Sequence, residues 1–343
     1  MIYPRTLHAG GCIAIAAPAF PMGKERLEKC VKRLKDLGYR VKTGKNLAEG
    51  KNFHGYLCGS GRERAADLCR LFADPEVDAI ICIRGGYGSA QMMKYLDYDL
   101  IRRNPKVFVG YSDITNLLNT FALKCGFVTY HGPMVSSNIL ENYDEYTQES
   151  FLKTIGDWEE MEFVNDISRP AGGSGTGDDC RRTENSSQEE NTGREEESRT
   201  PKTPIPFRTI TGGRAEGRLV GGNVTVVGRM MGTFYQPDSR GKIIFLEDVD
   251  EHIASLDMYI TQMENAGFFD EAAGILLGDY SGCINKYGED YLIEKFLEDR
   301  FAPLGIPVLA GLQVGHSTPT GTLPIGAWCR LDADNKKITF VKK

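Results

Sequence analysis

The sequence predicts an α/β protein with a parallel sheet in its N-terminal part and a smaller, β-rich α/β unit after it. Three observations carry that expectation. Residues 11 to 130 alternate short apolar runs with segments of helical periodicity. The apolar runs are nearly continuous rather than alternating, and a polar Gly/Ser-rich stretch divides them from a second set of elements. Parallel strands need crossover helices and are buried from both sides, which gives this combination.

The elements follow in order. CIAIAAPA, from Cys12, reads as a strand, and RLEKCVKRLKDLGY places Leu27, Val31, Leu34 and Leu37 at helical spacing before stopping at Gly38. YRVKTG is a short strand, RERAADLCRLFAD a helix, VDAIICIRGG a strand and SAQMMKYLD a helix. KVFVGY is a strand, ITNLLNTFALKCG a helix and FVTYHG a strand. In the second half, GRLVGGNVTVV and KIIFLEDV read as strands and IASLDMYITQMENAG as a helix. AAGILLGDYSG, YLIEKFLEDRFA and IPVLAGLQVGH follow as strand, helix and strand, and WCRLDADNKKITFVKK closes as a hairpin.

Between Ala171 and Pro204 there is no Leu, Ile, Val, Met, Phe, Tyr or Trp, against eight acidic and five basic side chains. Such a stretch cannot bury enough apolar surface to offset chain entropy. The expected organisation is an N-terminal α/β domain over 1–165, a polar disordered insert or linker over 166–207, and a C-terminal domain over 208–343.

A chain of 343 residues with 41% hydrophobic and 26% charged residues can build two cores. The net charge of −6 argues against nucleic acid as a partner, since phosphate backbones call for clustered Lys and Arg. No apolar run reaches the roughly 18 residues of a membrane span. CIAIAAPAF lacks a basic flank and contains Pro18, so it reads as a strand rather than a signal peptide, and the expected location is the cytoplasm. Nine scattered cysteines without a C-x-x-C pair suit reduced thiols, and five histidines without H-E-x-x-H give no metal spacing. No metal and no cofactor are expected.

Chemistry concentrates at strand ends, where α/β sheets bind ligands. In KVFVGYSDITNLLNTF, Ser112 stands where an apolar strand turns into a helix. Ser112 or Asp113 could cap that helix with a side-chain oxygen. The same strand–turn–helix could instead raise the Ser112 hydroxyl as a nucleophile, although Ile114 replaces the final glycine of G-x-S-x-G. A serine nucleophile needs a base and a group to orient it. His8 and His54 lie in polar early loops and His252 at an exposed helix start. His131 in TYHGPM and His316 in VGHSTPTGTLPIG both end apolar strands. Glu247 directly follows IIFL, so a strand fixes its position, whereas Asp250 and Glu251 read as a solvated loop. IRGGYGSAQ completes no nucleotide-binding motif, but Gly85 and Gly86 would let backbone N–H groups approach an oxyanion.

Taken in order, IRGGYGS, GYSDIT, HGPM, GGN, FLEDVDE and GH…TLPIG resemble the LD-carboxypeptidase family of serine peptidases, which includes muramoyl-tetrapeptide carboxypeptidases and microcin C immunity proteins. The resemblance spans nearly the whole chain outside the insert, which is longer and more polar than the family pattern. It implies a flavodoxin-like N-terminal α/β domain, a C-terminal domain, a cleft between them and a homodimer. It also implies a triad of Ser112 as nucleophile, His316 as base and Glu247 as orienter. The implied oxyanion hole is the N–H of Asp113 with that of Gly85 or Gly86. The implied substrate is a small murein tetrapeptide, cut at its L-to-D amide to release D-Ala in peptidoglycan recycling. Arg84 or Asn223 would hold its terminal carboxylate. An immunity hydrolase acting on aminoacyl-nucleotide conjugates is the alternative. Gripping a base normally takes an aromatic platform, and the insert has no Trp. A non-catalytic ligand-binding module is the third reading, since a fold alone permits it.

Overall fold

The computed structural model describes residues 1–166, 206–288 and 290–343. The body of the polar insert expected over 166–207 lies outside the described residues. The strands are β1 (Cys12–Ala16), β2 (Arg40–Thr43), β3 (Ala79–Cys82), β4 (Val107–Gly110), β5 (Thr129–His131), β6 (Glu160–Phe163) and β7 (Arg208–Thr211). They continue as β8 (Arg214–Asn223), β9 (Ile243–Glu247), β10 (Gly274–Leu277), β11 (Val308–Ala310), β12 (Leu323–Ile325), β13 (Trp328–Asp332) and β14 (Lys337–Val341).

They form two sheets. The first runs β12-β5-β4-β3-β1-β2, and its five N-terminal strands are parallel in the flavodoxin-like order 2-1-3-4-5. The parallel N-terminal sheet is as expected, and β12, from the C-terminal half of the chain, adds antiparallel to the open edge of β5. The second sheet runs β6-β14-β13-β8-β9-β10-β11-β7. Its central run β8-β9-β10-β11 is parallel, and antiparallel strands finish both sides. It has eight strands against six, one of them β6 from the N-terminal half. Two strands cross the chain's midpoint: β6 pairs with β14 in the second sheet, and β12 pairs with β5 in the first.

Local chemistry explains where the elements end. The run GRLVGGNVTVV is not strand throughout; the strand stops at Asn223, and Val224–Met230 is helical. The Asn223 side chain accepts from the Val226 N–H and so caps that helix. Apolar VTVV looked like strand because Val224, Val226 and Val227 are all buried, which removes the amphipathic signature of a helix. IPVLAGLQVGH forms strand only over Val308–Ala310, and the rest is the loop that carries His316. Beneath the first sheet, Phe72, Phe108, Phe121 and Phe127 pack ring to ring at 5.0–6.1 Å. Burying each contributes about 1.5–3 kcal/mol.

The sheets meet through the helix Thr115–Thr120, which follows β4. Asn119 Nδ2 donates to the Gly221 carbonyl at 2.8 Å, and the Gly221 N–H donates back to Asn119 Oδ1 at 2.9 Å. The Asn223 N–H donates to Thr115 Oγ1 at 3.2 Å. The four residues are buried and all six of these groups are satisfied, so this joint is rigid. It ties the end of β4 to the end of β8, and β8 pairs with β9 as far as Asn223 opposite Glu247.

Candidate active site

β4 ends at Gly110, and the chain then turns through Ser112 at φ +61°. A left-handed serine costs on the order of 1–2 kcal/mol, and such strain persists where the surroundings over-determine it. Neither Ser112 nor Asp113 caps the helix with its side chain. Asp113 points away instead: its Oδ2 accepts from the Ser89 N–H at 2.8 Å, and its carbonyl accepts from Ser89 Oγ at 2.6 Å. Burial pushes the Asp113 carboxyl up, while the Ser89 donors and the Arg64 charge pull it down. The Ser112 hydroxyl thus stands at the strand end without a capping task.

Gly85 lies against it. A Cβ at Gly85 would sit 2.9 Å from Ser112 Cβ and 3.0 Å from its Oγ. The next glycine, Gly86, instead faces the ring of Phe20. The loop that carries them is pinned from below by Arg64, which is 2% exposed. Its guanidinium donates to the carbonyls of Pro18, Gly59 and Gly88 and to Gln91 Oε1. Sequence reading missed Arg64, because a helical arginine looks like solvated surface until the loop is folded over it.

Glu247 ends β9 with no exposure, and its Oε2 lies 2.8 Å from His316 Nδ1. Gly315 makes room for that carboxylate. Its φ is +135°, and a Cβ there would come within 2.6 Å of Oε2. Burial alone would pull the His316 imidazole down, but the charge and hydrogen bond of Glu247 outweigh it and raise its pKa. Burial pushes Glu247 up, against the pull of His316. Tyr111, the residue before Ser112, sets its ring edge-on to His316 at 4.8 Å between centroids. The fold therefore brings the His316–Glu247 pair to the elbow. The loop after His316 is held by the helix Glu145–Ile155, through Thr147 Oγ1 to the Thr320 N–H and Ser150 Oγ to the Thr322 N–H, both 3.0 Å.

The remaining expected residues fall as follows. Arg84 is exposed, with its guanidinium 5.5 Å from the Phe20 ring centre. Asn223 is buried; besides capping its helix, its Nδ2 donates to Asp248 Oδ1 at 2.9 Å. Asp248 also accepts from the Thr225 N–H and hydroxyl, so it braces the turn beyond β8. His252 caps the helix Ile253–Asn265 through Nδ1. Among the described residues, no group of three His, Cys, Asp or Glu is placed to hold a metal, and no helix is long and apolar enough to cross a membrane.

Two α/β units, a strained serine at a strand end with no capping task, and beside it a half-buried histidine bonded to a buried carboxylate define a hydrolase of the serine type. The chain belongs to the LD-carboxypeptidase family: the family's N-terminal domain matches residues 13–132 and its C-terminal domain residues 216–331. It is 36% identical over 335 residues to a probable murein peptide carboxypeptidase of Bacillus subtilis, covering 97% of this chain and 92% of that one. Among solved structures it resembles the microcin C7 self-immunity protein in an inactive mutant apo state, with TM-score 0.83, 25% identity and coverage of 100% and 99%. It also resembles muramoyltetrapeptide carboxypeptidase from Oxalobacter formigenes, with TM-score 0.75, 25% identity and coverage of 97% and 99%. The protein is a serine-type LD-carboxypeptidase.

Proposed function

We propose that the enzyme hydrolyses the L-to-D amide at the C-terminus of a murein tetrapeptide, releasing D-Ala in peptidoglycan recycling. The observation that carries this reading is the 2.8 Å His316–Glu247 contact beside a serine held at φ +61°. The names borne by the Bacillus and Oxalobacter relatives support the murein substrate. Ser112 Oγ attacks the amide carbonyl carbon while His316 takes the hydroxyl proton. The C–N bond then breaks as His316 returns that proton to the leaving D-Ala amine, and water hydrolyses the acyl-enzyme by the same route. Glu247 holds the imidazole and balances its charge once protonated. The oxyanion rests on the N–H groups of Asp113 and of Gly85 or Gly86, with Gly85 the glycine whose Cα faces Ser112. Arg84, exposed at the rim, takes the terminal carboxylate of the peptide. Asn223 has its Oδ1 and one Nδ2 hydrogen engaged, which leaves one amide hydrogen for the same carboxylate.

In this reading the division into 1–165, 166–207 and 208–343 is functional, since the nucleophile comes from the first domain and its base and orienter from the last. A cytoplasmic homodimer completes it. Incubation with murein tetrapeptide and, separately, with an aminoacyl-sulfamoyl nucleoside, followed by mass spectrometry, tests the substrate. D-Ala release from the tetrapeptide is expected. Cleavage of the nucleoside conjugate alone would move the assignment to the immunity reaction.

A further inference from the structure

His131 ends β5, the strand next to the one that delivers Ser112, and it is 1% exposed. Neither ring nitrogen has a hydrogen-bond partner among the described residues. A buried polar group left so bears its full desolvation cost with nothing in return. The Glu247 carboxylate shows the matching defect: Oε2 is taken by His316, while Oε1 is fully buried and unpartnered. The two orphaned groups face each other, with His131 Nε2 4.0 Å from Glu247 Oε1. The His131 ring is held in orientation by Phe245, edge-on at 5.1 Å between centroids, and by Tyr111 at 5.9 Å. A closure of about 1 Å gives an ordinary N–H···O bond.

We propose that His131 is a positioning residue, donating its Nε2–H to the free oxygen of Glu247 so that the other oxygen stays on His316. The proposal rests on the reading of His316 as base and Glu247 as its orienter. It adds a second imidazole on the far side of the carboxylate, supplied by the other sheet. Burial holds His131 down to about 3, with the His316 charge acting in the same direction, so it donates as a neutral ring at working pH. The other groups facing Glu247 are Asp248, Asp279, Tyr111 and Tyr280, and the hydroxyl of Tyr280 is also buried without a partner.

The consequence has a definite sign. The active form pairs an anionic Glu247 with a neutral His316. A neutral donor on Oε1 stabilises that lone anion more than it stabilises the protonated, ion-paired form. Removing the donor therefore moves the acidic limb of activity to higher pH.

The test has two parts. In wild-type enzyme labelled with 15N-histidine, the His131 signals should show the neutral tautomer with the proton on Nε2. A proton on Nδ1 instead would overturn the proposal, and this readout needs neither substrate nor a variant. In the tetrapeptide assay, His131→Leu should lower kcat about tenfold with KM within about twofold. The acidic limb should rise by about half a pH unit. His131→Gln, which keeps an N–H donor, should recover most of both. Unchanged kcat and pH limb in His131→Leu, or identical losses in the Leu and Gln variants, would refute it. A wild-type enzyme inert toward the tetrapeptide would instead count against the substrate reading and leave the tautomer result to decide this one.

Discussion

A single methyl group at Gly85 puts the elbow geometry at risk in a measurable way. Gly85 is not among the residues with positive φ, so alanine suits its backbone, and the perturbation is steric. The added carbon would lie 2.9 Å from Ser112 Cβ, whereas carbon atoms rest about 3.5–4.0 Å apart. The two must separate by roughly 0.5–1 Å. Ser112 has little freedom to yield, because Asp113 is bonded twice to Ser89 and Gly110 abuts Ile114. A shift of about 1 Å at a reacting atom costs about a hundredfold in rate, equivalent to about 2.7 kcal/mol of barrier. Gly85→Ala should therefore lower kcat for D-Ala release about a hundredfold, with KM altered only a few-fold, and cost about 1–3 kcal/mol of stability as the clash is accommodated. Steady-state kinetics beside a thermal melt supplies both quantities. A kcat within about threefold of wild type, in a folded variant, would show that Gly85 does not abut the reacting serine. Gly86→Ala makes the contrast: with φ at +115° and a Cβ driven into Phe20, it should lose stability first.

Other consequences follow from the same geometry. Ser112→Ala should abolish turnover by several orders of magnitude, as removal of a triad nucleophile does, and residual D-Ala release near wild type would exclude Ser112. Ser112→Gly should be equally inactive yet more stable than Ser112→Ala by about 1 kcal/mol, because glycine accepts the left-handed backbone; calorimetry compares the two. His316 must be neutral to accept the serine proton, and Glu247 raises its pKa above the ordinary value of about 6.5. kcat/KM should accordingly fall as pH drops through that raised value, and a limb well below pH 6.5 would contradict the pairing. Arg64→Met leaves the buried carbonyls of Pro18 and Gly59 without their donor, at about 1–3 kcal/mol each, while Gly88 keeps the Gln91 N–H, so urea denaturation should show a loss of about 2 kcal/mol or more. EDTA should leave turnover unchanged; inhibition reversed by added zinc would reveal a metal requirement.

What the sequence announced and what it concealed follow physical lines. β1, β3 and β4 were readable because strands covered on both faces are continuously apolar and punctuated by Gly or charged residues. Leu323–Ile325 was not readable as a strand, being three residues long with Pro324 inside it; the missing N–H of a proline suits an edge position, which only the assembled sheet reveals. The helix Glu145–Ile155 also went unassigned, since its buried set mixes Thr147 and Thr154 with Phe151 and Ile155 and blurs the apolar stripe. At the site, Ser112, Glu247 and His316 could each be singled out because each stands at or just beyond the end of an apolar run. The facing of His131 and Glu247 could not, because it joins the ends of strands in different sheets and nothing local encodes it. Arg64 stayed hidden for the same reason.

The exchange of β6 and β12 between the sheets bears on how the chain could be divided. A cut inside the polar insert would leave each fragment holding an edge strand that belongs to the other: Glu160–Phe163 on the first piece, Leu323–Ile325 on the second. Each fragment would also lack one pairing surface and expose the partner's vacant edge, a template for aggregation when alone. Expressed together, the two pieces would reclasp through both strands and the Asn119–Gly221 bonds, and only then would serine meet histidine. The enzyme is in that sense a ready-made complementation pair, in which hydrolysis reports that two separately made polypeptides have found each other.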